Sequence, residues 1–129
     1  MSISLTVVVS LPEGQEDINI DAAPVAFPHG RWTLYWSLVV DTPGLIAEFG
    51  DPGIILPPSS GLPAKVSVVS GPAADGDDWT AEFQSDVLSA NAFNYEISID
   101  WHLSTEEVTR NVTIHDPTIS VTNDPPPGG

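Results

Sequence analysis

Apolar and polar residues alternate along this chain with a period of two, in runs separated by turn-forming residues. The clearest run is 93–103: Phe93, Tyr95, Ile97, Ile99, Trp101 and Leu103 share one face, and Asn94, Glu96, Ser98, Asp100 and His102 share the other. Such alternation predicts a strand with one face toward a core and one toward water. The first run places Ile3, Leu5, Val7 and Val9 against Ser2, Ser4, Thr6 and Ser10, and another lines up Trp32, Leu34, Trp36, Leu38 and Val40. A further run presents Trp79, Ala81 and Phe83. No segment carries helical periodicity over ten residues, so the chain reads as all-β, with β-branched and aromatic enrichment supporting each run.

Strands are expected at 2–10, 17–22, 31–41, 64–70, 78–86, 92–103 and 107–115, with a short extra one near 45–49. Ser104-Thr105-Glu106-Glu107 reads as a four-residue hairpin loop that sets Leu103 opposite Val108. The register then follows: Trp101 faces Arg110, Ile99 faces Val112 and Ile97 faces Ile114. On the outer face Asp100 meets Asn111 and Glu96 meets His115. A slip of one residue would turn the apolar set outward. Arg110 breaks the apolar face, which places its guanidinium over the Trp101 ring.

About seven short strands with turns between them are the signature of a β-sandwich. Tyr95-Glu-Ile-Ser-Ile-Asp-Trp101 resembles the penultimate strand of immunoglobulin-like and fibronectin-like domains, although the chain has no cysteine to form the disulfide of antibody domains. The expectation is a single antiparallel sandwich over 1–122, with Asn123-Asp-Pro-Pro-Pro-Gly-Gly as a tail or linker. At 129 residues one core is the natural solution.

Between Thr42 and Lys65 the density of Pro and Gly excludes a central strand or a helix. The same stretch carries Leu45, Ile46, Phe49, Ile54, Ile55 and Leu56. An apolar loop of this kind either covers a sheet edge or forms a contact surface. These six residues, with the outward-facing Tyr35, are the candidate interaction surface. Trp32, Trp36, Trp79 and Trp101 are all in phase with inward faces and belong to the core rather than to a stacking platform for sugars.

Charge narrows the partners. Eighteen Asp and Glu oppose Arg31, Lys65 and Arg110, for a formal net charge of −15. That field repels nucleic-acid phosphates and anionic membrane surfaces. It suits basic proteins, divalent cations or neutral ligands such as glycans, and it also keeps β-sheet proteins soluble. The N-terminal run alternates like a strand and has no cationic segment ahead of an apolar one, so it is not read as a signal peptide, and no apolar run reaches the length of a membrane span.

Candidate chemistry is sparse. Asp75, Asp77 and Asp78 flank Gly76 and would supply hard oxygen ligands for calcium, the one cofactor the sequence offers. Asp41, Glu48 and Asp51 are the nearest approach to a carboxylate pair for glycoside hydrolysis. His102 and His115 lie about 20 Å apart at roughly 3.3 Å per residue, too far to share an ion. No nucleophile, P-loop or dinucleotide motif is present. The expected function is therefore a non-catalytic module acting through protein contacts or self-association. A carbohydrate- or calcium-binding module is the alternative, and a small hydrolase with paired carboxylates comes third.

Overall fold

A computed structural model describes residues 1–63, 65–86 and 91–121. The tail at 123–129 lies outside the described residues, as does residue 64 at the start of one expected strand. Among the described residues the chain is all-β, and no helix is long and apolar enough to cross a membrane. The strands are β1 (Ser2–Ser10), β2 (Asn19–Ala22), β3 (Val25–Phe27), β4 (Gly30–Val40), β5 (Leu45–Ile55), β6 (Val66–Asp75), β7 (Asp78–Ser85), β8 (Asn91–Asn94), β9 (Glu96–Leu103), β10 (Arg110–Ile114) and β11 (Thr118–Val121). A 3₁₀ turn at Ser59–Gly61 lies between β5 and β6.

Hydrogen bonding groups them into three sheets, in the orders β2-β1-β4-β7-β6, β10-β9-β5 and β3-β11-β8. Among the described residues eleven strands stand where about seven were expected, and the pairing is mixed rather than wholly antiparallel. β1 runs parallel to β4, with Ile3 beside Leu34 and Leu5 beside Trp36. β3 runs parallel to β11. A period-two pattern fixes faces but carries no strand direction, which is why the sequence did not announce either pairing.

In the five-stranded sheet β4 pairs with β7, so that Trp36 meets Trp79, Leu34 meets Ala81 and Trp32 meets Phe83. The smallest inward residue of β7 thus lies beside Leu34, between two aromatic pairs. Contacts between sheets close the core: the Phe83 and Phe93 rings are 6.2 Å apart, and Trp36 Nε1 donates a 2.9 Å hydrogen bond to Tyr95 Oη. All four tryptophans are buried in one cluster with Leu5, Val7, Phe27, Ile54, Ile97 and Ile99.

The final hairpin has the expected register: Trp101 pairs with Arg110, Asp100 with Asn111, Ile99 with Val112 and Ile97 with Ile114. Asn111 Nδ2 donates 2.8 Å hydrogen bonds to Asp100 Oδ1 and Ser98 Oγ, and His115 Nδ1 meets Glu96 Oε1. The loop is longer than four residues, however. Pairing begins at Arg110, and Val108 is 66% exposed instead of facing Leu103. Leu103 pairs with Leu45 of β5 on its other side, while Arg110 Nη2 reaches back to Glu106 at 3.6 Å.

The hairpin then bends. Three steps lead from Ile97 to Asn94, but four lead between their respective partners, Ile114 and Thr118. The additional residue falls in the Asp116–Pro117 segment, where Tyr95 N donates to Pro117 O at 3.0 Å. An inserted residue kinks a ladder in this way. It splits one long hairpin into β9–β10 and β8–β11.

Candidate functional site

The segment expected to be a loop is the main correction. β5 runs through it from Leu45 to Ile55, and among the described residues it pairs with β9 on one side only. Leu45 pairs with Leu103 and Phe49 with Ile99; the register then breaks and resumes at Ile54 with Ile97. Gly50, Asp51, Pro52 and Gly53 occupy the break. Proline is tolerated there because an edge strand with a bulge has no ladder bond to lose at that position. Gly53 is required for packing: a Cβ there would stand 2.6 Å from Phe49 Cβ and 2.9 Å from Trp79 Nε1. β5 is thereby pressed onto the five-stranded sheet.

β6, at the edge of that sheet, has a matching irregularity. Its register with β7 shifts between Val68 and Ser70 and again between Ser70 and Ala73. Gly71 sits there with φ +78, and a Cβ would lie 2.7 Å from the Thr80 carbonyl oxygen. Both irregular edges carry a proline, Pro52 and Pro72, which blunts them against pairing with another strand.

Between these strands lies an apolar groove of about 540 Å³. β5 and the chain following it contribute Pro52, Ile54, Ile55, Leu56, Pro57 and Leu62; β6 contributes Val66, Ser67, Val68, Gly71 and Pro72. Trp79 of β7 closes the lining. Ser67 provides the one side-chain hydroxyl among these residues, so the groove offers contact area and little hydrogen bonding.

A second cleft, of about 590 Å³, adjoins it on the other side of Trp79. Its polar lining is acidic: Glu48 and Asp51 from β5, Asp77 from the β6–β7 turn, and Asp78 at the start of β7. Leu38, Val40 and Phe49 supply apolar wall. The bulge of β5 marks the boundary, since Asp51 lines the acidic cleft and Pro52 the apolar groove.

Of the residues expected to form an interaction surface, Ile54, Ile55 and Leu56 line the groove. Ile54 is fully buried, and Ile55 and Leu56 are half-buried. Leu45 belongs to the core, Ile46 faces outward opposite His102, and Phe49 lines the acidic cleft. Tyr35 is half-buried between Ser4 and Thr80, away from both clefts. The sequence reading missed Val66, Val68, Pro72 and Trp79 as groove residues. Their alternation signalled strands, but nothing local signalled that β6 would lie against β5.

Asp75 and Asp78 form a directly opposed pair that flanks the tight turn at Gly76 and Asp77. Among the described residues no three His, Asp or Glu side chains gather as a metal-ion cluster. Asp41 lines a different cleft, with Asp21 and Asn19, so it is not brought together with Glu48 and Asp51. Burial raises the Tyr95 phenol above its ordinary 10.0, and the hydrogen bond from Trp36 opposes that shift.

Compared with models of known protein families the chain matches none, and a comparison with curated proteins likewise finds no match.

Proposed function

We propose that this chain is a non-catalytic β-sandwich module, immunoglobulin-like or fibronectin-like in general organisation, that acts through protein–protein contacts. The observation carrying this reading is the open apolar groove between the irregular edges of β5 and β6. A groove of aliphatic and proline side chains with one hydroxyl suits partner side chains better than a reaction needing placed polar groups. The prolines at both edges favour docking of side chains over addition of a strand. The bonds and ring contacts linking the sheets across one core support the sandwich description.

Light scattering coupled to size-exclusion chromatography tests the self-association arm, using wild type and Leu56→Asp over a range of concentrations. A defined oligomer that Leu56→Asp returns to monomer supports a groove-mediated contact between copies. A monomer throughout overturns self-association and leaves a second protein as the partner. A mass or melting temperature that responds only to millimolar calcium favours the binding-module alternative, with Asp75, Asp77 and Asp78 the first residues to replace, because a ligand of the folded state must stabilise it.

A further inference from the structure

We propose that the apolar groove and the acidic cleft are two halves of one recognition trough, and that its occupant is an extended segment of a partner protein carrying a block of apolar residues next to Lys or Arg. This inference rests on the interaction reading above and adds the chemistry of the partner.

Three observations carry it. The two clefts share Trp79 as a lining residue, and the lining changes from one to the other at the Asp51–Pro52 step of β5 and between Pro72 and Ala74 of β6. An occupant following β5 therefore passes from aliphatic walls directly to carboxylates. Four acids line the second cleft, and no Lys or Arg is among its lining residues. Among the described residues the ion pairs of both arginines lie elsewhere, Arg31 with Glu82 and Arg110 with Glu106, while Lys65 directly precedes Val66 of the apolar groove. The carboxylates of the cleft are thus left for a partner's cations, and a net charge of −15 draws basic segments toward the whole molecule. A segment of about ten residues in extended form spans the length of β5 that borders both clefts.

The order of the halves distinguishes this from nonspecific attraction. General attraction to an acidic protein rewards any cationic peptide, whereas the trough rewards apolar and basic residues in separate, adjoining blocks. Salt screens the first effect and leaves the apolar contact in place.

The test is selection of peptide ligands from a displayed random library, roughly twelve residues long, on the wild-type protein. Binders retained by Leu56→Asp are removed first, and Val68→Asp serves as a second groove variant; thermal melts verify that both fold. The expected result is peptides in which three or four apolar residues adjoin two or more Lys or Arg. Their affinity should fall about tenfold on the triple variant Glu48→Gln, Asp51→Asn, Asp77→Asn. Apolar peptides without basic residues, indifferent to the triple variant, would overturn the two-part trough while leaving the groove as a contact surface. Selected basic peptides that bind Val68→Asp as well as wild type, or no peptide left once the Leu56→Asp binders are removed, would overturn both readings.

Discussion

Trp36 Nε1 donates a 2.9 Å hydrogen bond to Tyr95 Oη, joining the centre of the five-stranded sheet to the residue at which the β8–β9 strand bends. Their rings lie 5.6 Å apart at 60°, a tilted geometry favoured by aromatic quadrupoles. Tyr95→Phe keeps the ring and removes the acceptor, leaving a buried indole N–H without this partner. The expected cost is about 1–3 kcal/mol, read as a lower melting temperature.

The same pair gives an alkaline signature. Tyr95 is neutral when protonated, and burial raises its pKa in the folded state above the ordinary 10.0. Above pH 10 the unfolded chain loses this proton while the folded chain keeps it, so the unfolded state binds fewer protons and stability falls as pH rises. Below that pH the contribution is fully present. Melting temperatures of wild type should therefore decline above pH 10 more steeply than those of Tyr95→Phe. Parallel curves would assign the alkaline loss to other groups.

Gly53→Ala introduces a methyl where Phe49 Cβ and Trp79 Nε1 leave less than 3 Å. Neither neighbour is the free end of a flexible chain, so β5 must move away from the sheet. Denaturant unfolding should show a loss of about 1–3 kcal/mol. Trp79 fluorescence should change as well, since the indole borders both clefts.

Arg110 Cζ lies 5.2 Å from the centroid of the Trp101 ring, its cross-strand partner. The ring contact should dominate over the exposed ion pair with Glu106. Arg110→Ala is expected to cost about 0.5–1 kcal/mol, and Glu106→Gln to be nearly neutral. A double-mutant cycle in which Glu106 carries the larger share would reverse that ranking.

With a net charge of −15, the folded state repels itself. Thermal melts should shift upward as NaCl is added from low ionic strength. A flat response would show each carboxylate to be compensated locally.

The faces of the strands are legible in the order of residues alone. Trp32, Trp36, Trp79 and Trp101 are buried as their phase requires, and the Trp101–Arg110 and Asp100–Asn111 pairings follow from matching two apolar faces across one turn. These are local relations, set by the pleat and by neighbouring strands, and a period of two is enough to read them. The hairpin's loop length was less legible, because Leu103 has a second partner in Leu45, distant in sequence.

Strand direction, strand order and the groove arise from long-range packing. Alternation is the same whether strands run parallel or antiparallel, so the β1–β4 pairing had no local signal. Proline and glycine at Gly50 to Gly53 read as the end of a strand, yet an edge strand absorbs them in a bulge and continues to Ile55. The apolar groove needs β5 of one sheet beside β6 of another, with Trp79 closing its lining. That neighbourhood comes from how sheets pack, a long-range outcome of burying one shared core, and no short stretch of the chain encodes it.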